Sequence, residues 1–154
     1  MKRIRITVTE EADTIRLIGQ PVGENEEEIV FIVEGSVAMQ LTEEVRNARG
    51  EIVKEGQPTG QTALLIDRFV LHEEEQDPAM EDAAMDALVK ACRERRIAAL
   101  FSYFRPGKEH ETTKDLYGRL GFRKVSEDRL GNTAWKFDIP SSYINRNRSV
   151  EVVQ

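Results

Sequence analysis

Residues 77–95 read DPAMEDAAMDALVKACRER and predict a long amphipathic helix. Its apolar side chains recur at helical spacing, at Met80, Ala83, Ala84, Ala87, Leu88, Ala91 and Cys92. Met85 and Val89 widen this stripe, which favours a helix lying flat on a sheet over a narrow coiled-coil seam. The start of the helix is well marked, because Asp77 can accept from free backbone N–H groups and Pro78 suits the first helical position.

An apolar run lies on each side of this helix, over residues 63–71 and residues 97–104. Both runs have the length of a buried strand. A strand, a long helix and a second strand in this order form a parallel crossover. The centre of the chain therefore predicts a βαβ unit with neighbouring parallel strands.

The front of the chain predicts antiparallel strands. Residues 2–8 alternate charged and apolar side chains, and residues 14–18 continue in a similar style. The intervening residues 9–13 fit a hairpin turn, and they fit equally a short helix over residues 10–17 capped by Thr9. Composition and alternation assign a loop over 20–28 and an antiparallel pair of strands over 28–34 and 36–41. They then assign a short helix over 42–48, a short strand over 51–54 and a loop over 55–61.

Beyond the central unit the chain predicts a helix and a closing hairpin. Residues 105–108 form a loop, residues 111–120 a helix, and Gly121 suits the left-handed position just past its end. The hairpin strands are assigned to residues 122–126 and 133–139. From residue 140 the chain turns polar and basic, which predicts a loose tail or an edge strand over residues 150–153 supplied to a partner, such as a second copy of the chain.

Composition limits the class of protein. The chain has 154 residues, 40% hydrophobic and 32% charged, which predicts a single soluble domain over residues 1–154. The order of the predicted strands and helices makes this domain α/β (α+β). A net charge of −6 argues against nucleic acid as a partner. No apolar stretch is long enough to span a membrane, so a cytoplasmic location is the default expectation. Cys92 falls on the apolar stripe and is expected to be buried, and no Cys and His spacing indicates a metal site.

The segment LYGRLGF, residues 116–122, is similar to the closing motif of the GCN5-related N-acetyltransferase (GNAT) superfamily. The predicted order of elements matches that superfamily too, and implies an acyl-CoA N-acyltransferase-like mixed sheet. More narrowly, LLIDRFVL (residues 64–71), MEDAAMDALV (residues 80–89) and DLYGRLGF (residues 115–122) resemble the acyltransferase-like C-terminal domain of FkbH-family proteins. Those proteins load glyceryl units onto carrier proteins, so the resemblance implies an acyl carrier protein as a partner.

The superfamily resemblance also implies a site. An acyl-CoA such as acetyl-CoA would be the co-substrate, wedged where residues 63–71 and 97–104 splay apart. Its diphosphate would lie at the start of the long helix, which assigns Leu71, Ala79 and Met80 to the binding of the cofactor.

Three aromatic or imidazole side chains are candidates for chemistry or cofactor contact. The resemblance implies that Tyr117 protonates the leaving thiolate, although a tyrosine on the inner face of a helix also fits a core role. His72, at the end of the central strand, is a candidate general base, with an exposed strand-end histidine as the alternative. His110 stands where many members carry an asparagine that contacts the cofactor arm.

The expected diphosphate loop departs from the superfamily pattern. That loop usually begins with Arg or Gln and contains two small residues, whereas Glu74 and Asp77 stand at the first two of these positions and only Ala79 fits. Residues 73–77 carry four acidic side chains, which oppose an anionic ligand at a helix start.

Three functions are compatible with this pattern. The first is a binding or accessory module that requires no cofactor. The second is an active N-acyltransferase that holds donor phosphate with Arg105 or Lys108 and whose acidic mouth favours a cationic small-molecule amine. The third is recognition of an acidic carrier protein through a local basic patch formed by Arg123, Lys124 and Arg129, or through the tail.

Overall fold

The computed structural model describes residues 2–23, 27–72, 78–106, 115–148 and 150–153. Its elements follow the chain as β1 (Lys2–Glu11), β2 (Thr14–Pro21), β3 (Phe31–Arg46), β4 (Ile52–Leu71), α1 (Pro78–Glu94), β5 (Ile97–Phe104), α2 (Leu116–Arg119), β6 (Arg123–Glu127), β7 (Thr133–Asp138) and β8 (Val150–Val153). The strands form one sheet in the order β6-β7-β5-β4-β3-β2-β1-β8.

The sheet is mixed, as the sequence predicts. β4 and β5 are parallel neighbours joined by α1, and β1 and β8 form the other parallel pair. All remaining neighbours are antiparallel. The predicted βαβ unit and closing hairpin are therefore confirmed, and the predicted splaying strands are neighbours.

The core lies between α1 and one face of the sheet. The stripe of α1 is buried as predicted, with Ala84, Met85 and Leu88 fully enclosed. Because side chains alternate along a strand, polar and charged side chains lie on the other face of the sheet. There the exposed Arg16 lies 3.1 Å from Glu34, and the exposed Arg68 lies 3.4 Å from the same carboxylate. One face of the sheet is thus apolar and covered by α1, while the other carries charge.

The first hairpin settles one open alternative. β1 and β2 pair up to Glu11↔Thr14, so a tight turn joins them and the short-helix alternative over residues 10–17 is wrong. Ala12 takes a left-handed conformation with φ 53°, which closes the turn.

The long β3–β4 ribbon corrects three further predictions. The strands predicted at 28–34 and 36–41 are not a pair, because residues 31–46 form the single strand β3. The predicted helix over 42–48 and loop over 55–61 are also wrong, because Thr42 pairs with Pro58 and Glu43 with Gln57. Pro58 lacks an N–H but is tolerated, since pairing of β4 with β5 begins only at Thr62 and Pro58 therefore faces no strand on its other side among the described residues.

The C-terminal tail is held against the domain. β8 pairs with β1 of the same chain, Lys2↔Val150 to Arg5↔Val153, so the alternative of a loose tail is wrong and the predicted edge strand is present. β8 lies at the end of the sheet, and its pairing with a partner stays a prediction. The Asp86 carboxylate on α1 accepts from the Tyr143 hydroxyl at 2.6 Å and from the backbone N–H groups of Arg146 and Asn147, both at 2.9 Å. These bonds order the segment that leads into β8.

The second helix is described in part. Of the predicted helix over residues 111–120, the structure describes α2 and the residues on either side of it, while residues 107–114 lie outside the described residues. Gly121 has φ 92°, which confirms its role past the helix end. Asp77, the predicted cap of α1, lies outside the described residues as well.

Candidate functional site

β4 and β5 separate part of the way along their length. They pair from Thr62↔Ile97 to Leu65↔Phe101 and pair no further in the described chain. Past that point β4 stays with β3 as far as Leu71, and β5 stays with β7 as far as Phe104. We define the cleft as the gap between residues 66–71 of β4 and residues 102–104 of β5. It lies where the resemblance predicted a splay.

A β-bulge accompanies the separation. Gly35 of β3 pairs with Ile66 and Glu34 with Arg68, which leaves Asp67 as an additional residue in β4. A bulge bends its strand and increases the local twist, so β4 turns away from β5 directly beyond the last paired position.

The start of α1 is bound to α2 by an ion pair. The Glu81 carboxylate in the first turn is almost fully buried and accepts from Arg119 at two points, Nη2–Oε1 at 2.7 Å and Nε–Oε2 at 3.3 Å. This hydrogen bond raises the pKa of Arg119. The paired geometry fixes α2 relative to α1, and with it the position of Tyr117.

Tyr117 is part of the aromatic core. Its side chain is 2% exposed, and its ring lies edge-on to Phe69 of β4 with centroids 6.5 Å apart. Phe122 packs on the ring at 5.2 Å and continues the cluster to Phe137 at 5.4 Å. The ring therefore packs as a core residue does. This is the second of the two roles that the sequence allowed for Tyr117, the first being the proton donor.

Five of the other predicted site residues are described by the structure, and some of them lie at the ends of β4 and β5. Leu71 is half-buried at the end of β4, and the exposed His72 follows it, with its backbone N–H donating to Val30 O at 2.8 Å. The exposed Arg105 follows β5 at the same edge of the sheet, because β4 and β5 are parallel. Ala79 is half-buried and Met80 fully buried at the start of α1. Lys108 and His110 lie outside the described residues.

Two residues beside the cleft were not identified as candidate site residues from the sequence. Asp67, in the bulge, is exposed, and its Oδ2 accepts from the Ser36 hydroxyl at 2.7 Å. Ser102, the first residue of β5 beyond the last pair with β4, is fully buried. The available signal was the polar pair Asp67 and Arg68 inside the apolar run over residues 63–71, and Ser102 inside the run over residues 97–104.

One cavity lies away from the cleft. A cavity of about 880 Å³ lies between α1, β1, the tail and β8, and its wall includes Ile6, Val8, Ala87 and Val152. None of the predicted site residues that the structure describes lines it. Among the described residues no group of three or more His, Cys, Asp or Glu is arranged to hold a metal ion, and neither described helix has the length and apolar character to cross a bilayer.

Comparison with known proteins identifies the fold. No protein-family model matches the sequence, and no curated protein sequence matches it. By structure, the chain is similar to the GNAT domain of S. lividans PAT, with a TM-score of 0.56, 15% identity, and coverage of 84% of this chain but only 64% of that domain. It is similar to Arabidopsis thaliana NAA60 in complex with acetyl-CoA, with a TM-score of 0.59, 14% identity, and coverage of 84% of this chain and 78% of that one.

A third similar structure is Campylobacter jejuni N-acetyltransferase PseH in complex with acetyl coenzyme A, with a TM-score of 0.52, 10% identity, and coverage of 84% of this chain and 71% of that one. The chain therefore has the GNAT acyl-CoA N-acyltransferase fold, and two of these structural neighbours bind acetyl-CoA. The narrower resemblance to FkbH-family proteins gains no support from these neighbours.

Proposed function

We propose that the protein is a non-catalytic or weakly active accessory or binding module with the acetyltransferase fold, which has lost ordinary binding of coenzyme A. The observation that carries this proposal is the enclosure of Tyr117, which is 2% exposed between Phe69 and Phe122. A phenol that protonates a leaving thiolate has to reach it, and this ring offers almost no surface to a ligand.

The charge of the sequence before α1 supports the same proposal. Residues 73–77 contain four acidic side chains where the superfamily places a diphosphate. A like-charge pair at ~4 Å costs about 1 kcal/mol in water and about 4 kcal/mol at an effective dielectric of 20. Several such pairs offset a micromolar affinity, which corresponds to about 8 kcal/mol. Pro78 lacks a backbone N–H for a phosphate at the first helical position.

A thermal-shift titration with acetyl-CoA at low salt tests the loss of coenzyme A binding. We expect no shift at about 1 mM ligand for the natural chain. A ligand at 100 times its Kd would stabilise the folded state by about 2.7 kcal/mol, which raises Tm by several degrees. A shift of that size would contradict the proposal. A variant with Glu73, Glu74 and Glu75 changed to Gln is the matched control, and we expect it to gain measurable affinity.

One observation favours a second function, an active N-acyltransferase. The Asp67 carboxylate lies in the bulge of β4 beside the cleft, exposed and oriented by Ser36. An acceptor amine would lose a proton to this carboxylate, directly or through water, and attack the acyl carbon. The new C–N bond replaces the C–S bond, and the leaving thiolate takes up a proton. The donor would be an acyl-CoA or an acyl carrier protein, and the exposed Arg105 that follows β5 would be the cation for its phosphate.

Release of free thiol from acetyl-CoA in the presence of small cationic amines tests this second function. We expect Asp67→Asn to lower kcat/KM about 10²- to 10⁴-fold, the usual contribution of a general base. Asp138→Asn, which changes an exposed carboxylate on β7, should leave the rate unchanged. Equal rates for Asp67→Asn and the natural chain would remove Asp67 from the mechanism, and Tyr117→Phe tests the tyrosine in the same assay.

The proposed basic patch for a carrier protein is partly neutralised. Arg123 lies 3.6 Å from Asp138, and Lys124 lies 3.6 Å from Glu127. Two of the three basic residues thus have an acidic neighbour, which weakens their attraction for an acidic partner. Acyl-CoA is therefore the better-supported donor for the second function.

A further inference from the structure

β8 covers only part of the outer edge of β1. Pairing of β1 with β8 ends at Arg5↔Val153, whereas its pairing with β2 continues to Glu11↔Thr14. Residues 7–11 of β1 therefore face no strand on their outer side in the part of the chain that the structure describes. An unpaired stretch of strand edge is a template on which another strand can form.

The hydrogen bonds of β1 show which of its backbone groups are open. Val22 N–H donates to Arg3 O at 3.1 Å, and the unbroken register of β1 with β2 repeats this pattern at every second residue. The odd-numbered residues of β1 therefore bond to β2. The N–H and C=O groups of Val8 and Glu10 point to the outer edge, where an additional strand would bond to them.

A cavity lies directly beside this open edge. It is the cavity of about 880 Å³ between β1 and α1, and we call it the groove. Along the face of β1 that carries α1, exposure rises from 1% at Ile4 to 44% at Val8, so nothing in the described chain covers this end of the strand. On the helix side the wall consists largely of small side chains four residues apart, Ala83, Ala87 and Ala91.

The rim of the groove is electrically balanced. It carries the acidic Asp86 and Glu94 and the basic Lys90 and Arg93. Asp86 already accepts three hydrogen bonds from the tail, and Arg93 donates to Ser141 O at 2.8 Å. A balanced rim above an apolar floor gives no preference for an anion such as a fatty acid or a nucleotide. It suits a chain whose polar groups are backbone amides.

The strand at the opposite end of the sheet is protected against pairing. β6 is exposed throughout, carries the charged Arg123, Lys124 and Glu127, and has a register shift between Lys124 and Ser126. Charged side chains and bulges are the usual protection of an edge strand. Residues 6–9 of β1 read ITVT, with no charge, and pair with β2 without a register shift. The edge of β1 beside the groove therefore lacks this protection.

We propose that the groove binds an extended peptide of a partner protein, which adds a strand to the sheet beside residues 6–10 of β1. The peptide backbone bonds to the N–H and C=O groups of Val8 and Glu10, and every second side chain enters the groove between Val8 and Ala87. Five residues of strand span about 16 Å, so two or three inward side chains fit, and they are apolar like the floor. The groove is away from the cleft, so the proposal does not depend on the loss of coenzyme A binding.

A calorimetric titration with acetyl-Lys-Thr-Val-Thr-Val-Thr-Lys-amide tests the proposal. One control peptide has the same composition without alternation, acetyl-Lys-Thr-Thr-Thr-Val-Val-Lys-amide. A second control is the probe with its three central backbone amides N-methylated, which removes the donors for strand pairing. We expect the probe to bind the natural chain with a Kd below about 1 mM, and each control to bind at least about tenfold more weakly.

Substitutions on the two walls of the groove locate the binding site. We expect Val8→Lys to weaken binding of the probe about tenfold, because a charge replaces an apolar wall. Thr7→Lys places the same charge on the opposite face of β1 and should leave the affinity unchanged. Ala87→Leu fills the groove from the helix and should also weaken binding about tenfold, which keeps the test independent of any effect of Val8→Lys on the fold.

Hydrogen exchange followed by NMR identifies the backbone groups that bond to the peptide. With the probe at about ten times its Kd, the N–H groups of Val8 and Glu10 should exchange about tenfold more slowly. The N–H groups of Thr7 and Thr9 already bond to β2 and should change less.

Three results would overturn the proposal. The first is no binding of the probe up to about 1 mM. The second is equal binding of the N-methylated peptide, which would mean an apolar pocket that takes no strand. The third is a chain that is dimeric in sedimentation equilibrium and becomes monomeric in Val8→Lys, because a second copy would then cover the edge of β1. Binding of acetyl-CoA in the earlier titration would contradict the proposed function alone.

Discussion

At the residue scale, burial in the core raises the pKa of the Cys92 thiol and lowers its reactivity. Its thiol lies on the buried side of α1 and is 0% exposed. Burial raises the pKa of Cys92 from 9.0 to about 12, with Arg95 lowering it and Glu10 raising it to a smaller extent. Since the thiolate is the reactive form, the folded protein should protect this residue from alkylation.

We predict that iodoacetamide at pH 8.5 modifies Cys92 only after unfolding. The thiolate fraction at that pH is roughly 3 in 10,000 for a pKa of about 12 and about one quarter for a pKa of 9.0. Mass spectrometry with and without guanidinium chloride measures the difference. Because the folded pKa is raised, the stabilising contribution of this thiol is complete below pH 9 and is lost as the pH rises toward 12. Rapid labelling of the folded chain would contradict the burial of α1.

At the scale of elements, the tail is attached to α1 through one carboxylate. Asp86 accepts from Tyr143, Arg146 and Asn147, and the Arg146 guanidinium reaches Asp82 at 3.0 Å and the Arg119 carbonyl at 2.7 Å. Burial raises the pKa of the Tyr143 hydroxyl, and its hydrogen bond to Asp86 raises it further. The tail therefore links α1, the end of α2 and, through β8, the edge of the sheet.

We predict that Asp86→Ala lowers the free energy of unfolding by about 2–3 kcal/mol, because three donors lose their acceptor. Hydrogen exchange should also show loss of protection at Val150–Val153, which depends on the tail for its place beside β1. Asp138→Ala removes two exposed ion pairs, with Arg123 and Lys136, and should change stability by less than about 1 kcal/mol. Protection of β8 that survives Asp86→Ala would mean that pairing with β1 suffices to hold it.

At the scale of the whole molecule, the cleft divides the sheet. β5, β7 and β6 lie on one side of it and five strands on the other, with pairing between the sides limited to residues 62–65 and 97–101. α1 bridges the division, since it contacts β2, β3 and β4 on one side and β5 on the other. The continuous core beneath α1 should make the two sides unfold as one unit.

We predict coincident unfolding transitions for the two sides in urea. Trp135, the single tryptophan, lies in β7 and reports on the smaller side through its fluorescence. Far-ultraviolet circular dichroism follows α1 and the whole sheet. The two midpoints should agree within the error of the fits. A fluorescence transition at lower urea would show that β5, β7 and β6 unfold separately, which would contradict a single cooperative domain.

The sequence by itself determined the central unit of this protein. Helical spacing over residues 77–95 and the apolar runs on either side specify α1, β4 and β5, because burial of an apolar stripe requires a flat apolar partner. The same local signals specified the closing hairpin and the left-handed Gly121. They failed over residues 42–61, where Gly56, Pro58 and Gly60 indicate a loop and long-range pairing makes a ribbon.

Only the tertiary structure decided the site. Tyr117 and Phe69 are distant in sequence, and their contact depends on how α2 and β4 are placed in space. Ser102 is recognised as a residue beside the cleft only once β4 is seen to leave β5 next to it. β8 likewise joins β1 across the full length of the chain. Local propensity is read from a few neighbouring residues, whereas a cleft, an enclosed ring and a paired edge strand arise from contacts between segments that are far apart in sequence.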